Sequence, residues 1–470
     1  MVLLTGGFGC CKIKTVQFIR KEPFMDNKTI YALSTVCGKS GVAVVRISGD
    51  DAVSAVRKMT NLPTDLKPRY AYFAALRHPV TRETLDHALV LYFKAPHSFT
   101  GEDVVEFQIH GSRAVVNSVL DALAAFSSFR LAEPGEYSKR AFYNGKMDLT
   151  EAEGLADLID AETSEQQKYA MRQMEGGLKN LYEDWREKLL TILAHLEAYI
   201  DFPEEEIPSD VVDTMMNDVF KLSSAISEHL QGDNIGERLR EGFRVVIVGP
   251  PNAGKSSLLN AVARREAVIV SDIAGTTRDA IDIHLDLKGY PVIFTDTAGL
   301  REAEEEIEKK GIEIAYSKIQ DADLVVCLFD ASKDSVHIFD NIKKSFKNKI
   351  LFVANKSDKL TFEQRSELNA EECLVISAKQ HEGVSALLDK ITEEIAGRFT
   401  SNSGLLITRR RYREALQNTL DNLAAFDLNK EIELSAEDIR LAARELGKIT
   451  GRIEVDEILD KIFGSFCIGK

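Results

Sequence analysis

The chain has 470 residues, a net charge of −15, 44% hydrophobic and 28% charged residues. That length holds two to four domains, and the composition is that of a soluble globular protein without a stretch long and apolar enough to span a membrane. The acidic balance excludes bulk-charge binding to nucleic acid, so any RNA contact must use a local basic patch. The six cysteines (Cys10, Cys11, Cys37, Cys327, Cys373, Cys467) lack metal-ligand spacing and read as reduced thiols of a cytoplasmic protein.

Residues 1–24 are basic, contain Glu22 as their one acid, and lack the apolar core of a secretory signal. The expectation is an extra leader or a start codon taken too early, with Met25 opening the folded protein. Residues 25–145 read as an α+β domain. Strand-type runs fall at Gly41–Ile47, Tyr70–Leu76, Ala88–Phe93 and Val104–Ile109, and a helical pattern covers Ala114–Phe126. Arg46 interrupts an apolar strand and calls for an anionic partner, while Glu106 lies on one face of its own strand; the alternative for both is a solvated face. His110 fits a structural hydrogen bond better than catalysis.

From Met147 to about Leu239 the pattern is helical, with an apolar stripe through Leu178, Leu181, Trp185, Leu189, Leu193, Leu196 and Ile200. Asp201-Phe202-Pro203 ends that helix. Strand and helix alternate from residue 241 to about 402, and beyond Arg409 the chain is helical again, with Ser435 and Asp438 as a capping pair. The expected organisation is a multidomain α+β and α/β protein. Helical segments 146–240 and 403–470 flank an α/β domain, 241–402, inserted at a surface loop.

The inserted segment carries the most specific chemistry. The run Val245-Val246-Ile247-Val248 reads as a buried parallel strand, followed by Gly249, four residues, then Gly254-Lys255-Ser256, with Asn252, Ala253 and Ser257 alongside. This is the phosphate loop: glycines let backbone N–H groups surround an anion, Lys255 reaches the β- and γ-phosphates, and Ser256 holds Mg²⁺. A helix, Ser257–Ala263, follows and directs its positive end at the phosphates. In order come Ser271-Asp272-Ile273-Ala274-Gly275-Thr276-Thr277, then Asp296-Thr297-Ala298-Gly299, Asn355-Lys356-Ser357-Asp358 and Ser377-Ala378-Lys379. A threonine hydroxyl can join Mg²⁺, Asp296 can hold it through water, and the Gly299 N–H can contact the γ-phosphate. Asp358 can accept the paired N–H groups of guanine, which adenine lacks, so the nucleotide is GTP. Leu300 stands where small signalling GTPases have the water-orienting Gln, so a carboxylate in Arg301–Glu308 is the alternative. Asn252, with carbonyls of the loop Ser271–Gly275, could hold a monovalent cation beside the phosphates.

With these motifs the sequence resembles the MnmE (TrmE) family of tRNA uridine-5-carboxymethylaminomethyl modification GTPases from about Met25 to Lys470. Further matching segments are GVAVVRISG (41–49), SFTGEDVVEFQIHG (98–111), RAFYNGKMDLTEAE (140–153), DTAGLRE (296–302) and FCIGK (466–470). The resemblance implies a Ras-like G domain, a K⁺-stimulated GTPase and transient G-domain dimerisation. It assigns Asn252, Ser271, Ile273 and Thr276 to K⁺, Ser256 and Thr277 to Mg²⁺, Glu308 to the attacking water, and Arg301 to a supporting role. It further implies a homodimer through an N-terminal domain that binds 5,10-methylene- or 5-formyl-tetrahydrofolate at Arg46, Glu106, Lys146 and Lys470, and a modification-essential Cys467. The partner would be the FAD protein MnmG, in a heterotetramer acting on C5 of the wobble uridine (position 34) of certain tRNAs. STVCGKSG before Arg46 departs from the family's Pro-, Gly- and Arg-richer loop. Readings from other classes are a regulatory switch in ribosome assembly and a scaffold whose GTP site only holds shape.

Overall fold

The computed structural model describes residues 28–202, 209–231, 234–265, 282–296, 320–334, 350–370, 373–400, 405–453 and 456–469. The first stretch runs β1 (Thr29–Leu33), β2 (Ser40–Ser48), α1 (Ala52–Met59), β3 (Tyr72–Arg77), β4 (Thr84–Phe93), β5 (Val104–Gly111), α2 (Arg113–Ala124), β6 (Phe129–Leu131) and α3 (Glu136–Tyr143). Helices α4 (Leu149–Ile159), α5 (Ser164–Met174), α6 (Gly177–Asp201), α7 (Ser209–Leu230) and α8 (Ile235–Glu241) follow. Next come β7 (Phe243–Val248), α9 (Lys255–Arg265), β8 (Asp282–Leu287), β9 (Tyr290–Asp296), β10 (Leu324–Asp330), β11 (Ile350–Asn355), α10 (Phe362–Ala370), β12 (Leu374–Val375) and α11 (Val384–Thr400). The chain closes with α12 (Arg410–Ala425), α13 (Ile432–Thr450) and α14 (Asp456–Gly464). By contacts it divides into two units, residues 1–152 with 447–470, and residues 153–446.

In the first unit the sheet order is β3-β4-β5-β2-β1-β6. Strand alternation explains its two faces. Val45, Ile47, Val105 and Phe107 point to one side and form a core with Ala55, Val56 and Met59 of α1 and Val119 and Leu123 of α2. Ile30 and Ala32 point to the other and pack with Ala132, Tyr137 and Phe99. The predicted strands are present with shifted ends, and β1, β6, α1 and α3 are additional. Ser112 caps α2, its side chain accepting from the Val115 N–H.

The second unit contains the sheet β12-β11-β10-β7-β9-β8, parallel except for the β8–β9 hairpin. Its central strands are apolar at consecutive positions because both faces are covered. Val245 and Ile247 of β7 enter one core, Val246 and Val248 the other. The buried line of α6 is Leu178, Tyr182, Trp185, Leu189, Ile192 and Leu196, so four of the seven expected stripe residues are buried, Tyr182 and Ile192 join them, and Leu181, Leu193 and Ile200 are half-buried. Helix α6 ends at Asp201. The capping pair Ser435/Asp438 is not formed. Helix α13 begins at Ile432, so Ser435 lies inside its first turn, where its buried hydroxyl donates to the Asp427 carbonyl at 2.7 Å. The Asp438 carboxylate instead faces Lys430 at 3.3 Å. Among the described residues no helix is long and apolar enough to cross a membrane.

Candidate functional site

Strand β7 delivers the chain to Gly249, where a Cβ would lie 2.0 Å from the Leu328 carbonyl oxygen of β10. A side chain is therefore excluded where the loop leaves the sheet. The loop turns back through Asn252 (φ 64°) and Gly254 (φ 101°), both left-handed. The Lys255 ammonium donates to the carbonyls of Gly249 (2.7 Å) and Pro250 (3.1 Å), and Ser256 and Ser257 sit in the first turn of α9.

Asn355, at the end of β11, braces this loop from inside the protein. Its Nδ2 donates to the Ala253 carbonyl at 2.7 Å, and its Oδ1 accepts from the N–H groups of Lys356 (2.8 Å) and Ala378 (3.0 Å). One buried amide thus ties together three segments that the sequence offered separately. A Cβ on Gly254 would stand 2.3 Å from that Nδ2, which explains glycine there on packing as well as on φ. Lys356, itself left-handed, extends its ammonium to the Asn252 carbonyl at 2.6 Å and to Asp330 Oδ2 at 2.7 Å. Burial opposes the charge on Asp330, but hydrogen bonds from Lys356 and Ser332 outweigh it and hold its pKa down to about 2. Asp330 was not anticipated; the one signal was an acid closing an otherwise apolar strand.

Asp358 lies in the short turn that follows β11. Its Oδ1 accepts from the Ser377 hydroxyl at 2.7 Å, which lowers its pKa and fixes the carboxylate. Ser377 is locked by a two-way backbone bridge with Glu382, and Lys379 is exposed beside it. Thus Asn252–Ser257, Asn355–Asp358 and Ser377–Lys379 converge, as a guanine nucleotide requires. Strand β9 pairs Asp296 with Ile247, bringing its backbone beside the strand that feeds the loop. The predicted residues Ser271–Thr277, Thr297–Gly299, Arg301 and Glu308 lie outside the described residues.

The loop's strand is held to its unit by α8. Arg238 pairs with Asp323 at 3.0 Å, and Asp323 also accepts the Arg244 N–H at 2.8 Å. On the helical side Arg240 meets Asp157 at 3.3 Å. Asp157 shares Arg409 (2.7 Å) with buried Glu153, which also binds Arg411 at 2.5 Å and Tyr412. Burial alone would raise the pKa of Glu153, and the two arginines overcome it and keep the group ionised.

In the first unit Arg46 and Glu106 are cross-strand partners, Nε to Oε1 2.9 Å, each partly buried. The Arg46 guanidinium lies 5.7 Å from the ring centroids of both Phe99 and Tyr137, and the Tyr137 hydroxyl donates to the Arg46 carbonyl at 2.7 Å. The anionic partner expected for Arg46 is therefore Glu106. Lys146 is exposed and donates to the Pro96 carbonyl at 2.9 Å. His110 is exposed and bonded to Asp86 at 2.8 Å, a structural role. Sequence reading missed the buried hub Arg140. It bonds Glu102 at 3.1 Å and Glu136 at 3.0 Å, and Glu136 in turn accepts two bonds from Arg130.

The C-terminal segment is docked on this unit. Ile468 bridges Pro134, the Gly135 N–H meets the Cys467 carbonyl at 3.4 Å, and the Ser34 hydroxyl donates to the Gly469 carbonyl at 3.0 Å. Gly469 has φ 96°, and a Cβ there would be 2.3 Å from the Leu33 oxygen. Cys467 is held yet exposed. Lys470 lies outside the described residues.

Comparison with known proteins breaks the chain near the same point, between residues 146 and 149, but carries residues 447–467 with the helical part, where contacts group them with the first unit. A family model described as GTP-binding protein TrmE N-terminus matches residues 29–146, and one described as MnmE helical domain matches residues 149–467. Curated proteins named tRNA modification GTPase MnmE are similar along their whole length. The one from Paramagnetospirillum magneticum is 47% identical over 94% of this chain and 100% of its own. Those from Parvibaculum lavamentivorans and Rickettsia rickettsii are each 46% identical with the same coverage. On a phosphate loop braced to a guanine-type base site and on this likeness along the chain, the protein belongs to the MnmE family of tRNA modification GTPases.

Proposed function

We propose that this GTPase hydrolyses GTP to GDP and phosphate under K⁺ stimulation. In this reading turnover drives wobble-uridine modification at C5, position 34, of certain tRNAs, in the cytoplasm and together with an FAD-dependent MnmG-type partner. The observation that carries the reading is the Asn355 brace, which joins phosphate loop, NKSD and SAK segments into one guanine-nucleotide site on a chain similar throughout to MnmE proteins. The second function class, a ribosome-assembly switch, leaves the docked Cys467 tail unexplained.

The donor set fits the implied ions. Ser256, at the first turn of α9, and Thr277 would hold Mg²⁺, and a neutral amide oxygen at Asn252 with Ser271, Ile273 and Thr276 suits a monovalent cation. The two ions would neutralise charge building on the transferred phosphoryl group. Lys255 contributes a fixed ammonium to the same charge, Glu308 orients the attacking water and takes up its proton, and Arg301 supports the switch. Asp358 recognises guanine, and Ser377 keeps its carboxylate aimed.

Arg46, Glu106, Lys146 and Lys470 fit a one-carbon tetrahydrofolate. Glu106, held by Arg46, can accept N–H groups of a pterin-type ring, and the lysines suit its glutamyl carboxylates. The folate would supply the one-carbon unit. Cys467, exposed on a docked tail, is available as a nucleophile. Val42, Phe73 and Leu89 are exposed hydrophobics of the sheet β3-β4-β5-β2, which supports a homodimer through this domain, with G domains pairing transiently.

The test is reconstitution: this chain, an MnmG-type protein, substrate tRNA, GTP and methylene-tetrahydrofolate, with modified uridine measured by mass spectrometry. The reading expects product that disappears in Cys467→Ser while GTP hydrolysis persists. Full product from Cys467→Ser, or none from wild type, would refute it.

A further inference from the structure

One surface of the first unit carries charge opposite to that of the chain as a whole. Net charge is −15, yet the neighbouring loops Lys67-Pro68-Arg69-Tyr70 and Lys94-Ala95-Pro96-His97 contain no acid and are exposed at every position. Hydrogen bonds bring them together. The Arg69 N–H donates to the Tyr92 carbonyl at 2.8 Å, and the Arg69 guanidinium donates to the His97 carbonyl at 3.1 Å. Lys146 closes the group through the Pro96 carbonyl at 2.9 Å. Among the described residues none of Lys67, Arg69, Lys94 and Lys146 takes part in an ion pair, so these cations face solvent uncompensated. The acid beneath them, Asp103, is engaged by the Tyr92 hydroxyl and the Ala95 N–H, both at 2.9 Å, and serves to hold the loop.

An aromatic platform stands among the cations. Tyr70 is 51% exposed, its ring is 4.8 Å from that of Tyr72, and the Lys67 ammonium lies 5.8 Å from its centroid. The Tyr72 hydroxyl accepts the Lys67 N–H at 2.8 Å, which fixes the loop to the strand. Fixed cations around an open aromatic face suit a sugar–phosphate backbone with an unstacked base better than an acidic protein, which offers no base to stack.

We propose that this surface is an RNA-binding site, in which Lys67, Arg69 and Lys94 contact phosphates and the Tyr70 ring stacks on a base. The inference rests on the tRNA reading above and adds which part of the chain holds the RNA. Lys146 borders both this surface and the proposed folate pocket, so bound RNA would lie beside the one-carbon donor.

The experiment titrates the full chain against a fluorescein-labelled tRNA transcript at several KCl concentrations. It compares wild type with the triple variant Lys67→Ala/Arg69→Ala/Lys94→Ala and with Tyr70→Ala and Tyr70→Phe, using GTP hydrolysis as a control for folding. The triple variant should bind about tenfold or more weakly, with the slope of log affinity against log salt shallower by roughly 2 to 3, because each of the three lost phosphate contacts removes about 0.7 to 0.9 of a unit. Tyr70→Ala should weaken binding about fivefold or more with the slope unchanged, and Tyr70→Phe should bind like wild type. A triple variant with wild-type affinity and slope overturns the proposal, as does wild type failing to bind tRNA. So does unchanged tRNA binding with loss of MnmG-type partner binding, which would mark a protein interface. Product formed by wild type in the reconstituted reaction beside any of these results would leave the proposed function standing without this surface.

Discussion

Asn355 braces the phosphate loop from inside the protein. Its three hydrogen bonds satisfy the Ala253 carbonyl and the N–H groups of Lys356 and Ala378. Asn355→Ala leaves the buried Ala253 carbonyl and Ala378 N–H unpartnered, at a cost of about 2–6 kcal/mol on the usual scale of about 1–3 kcal/mol for each buried group lost. Urea denaturation should show that loss, and GDP titration should show a matching fall in affinity. Asp330 adds a pH signature. Its folded pKa of about 2 lies below the unfolded value near 3.9. Its contribution is therefore complete above about pH 4 and disappears as pH falls through about 2. The gap in denaturation midpoint between wild type and Asp330→Asn should be constant from pH 7 to 5 and narrow below pH 4. A gap that widens on acidification would contradict the Lys356 pairing.

At the scale of the element, what was legible depended on sequence distance. The strand, loop and helix of the phosphate site are contiguous, so Val245–Ser257 could be read directly. The pairing of Arg46 with Glu106 was half legible: each was out of place in its strand, but only the β2–β5 register makes them partners. The docking of the tail was not legible, because Ser34 and Gly469 are separated by 435 positions. Nor was the Glu153 cluster, whose arginines arrive from the start of α12. The capping pair at Ser435 misled because a local motif lost to a bond with the Asp427 carbonyl. Glu153→Ala should destabilise the chain by about 3–5 kcal/mol, since it strands Arg409 and Arg411 without their carboxylate. Gly469→Ala places a Cβ 2.3 Å from the Leu33 oxygen at a left-handed φ, so it should displace Cys467. Modification should then fall at least tenfold with GTP turnover within about twofold of wild type, as read by the reconstituted assay and phosphate release. A Gly469→Ala chain with full modification would show that tail docking is dispensable.

At the scale of the whole molecule, the proposed function makes the activating charge a cation held beside the phosphate loop, not an arginine brought by another protein. Asn252 is left-handed and its carbonyl is anchored by Lys356 at 2.6 Å, which leaves the side chain as the group to test. The direct measurement is the steady-state rate of GTP hydrolysis by wild type and Asn252→Ala in KCl and NaCl of equal ionic strength. Wild type should be faster in KCl by roughly tenfold or more, equivalent to about 1.4 kcal/mol of transition-state stabilisation, and the variant should lose the difference between the salts. Equal wild-type rates in the two salts would contradict the cation's role.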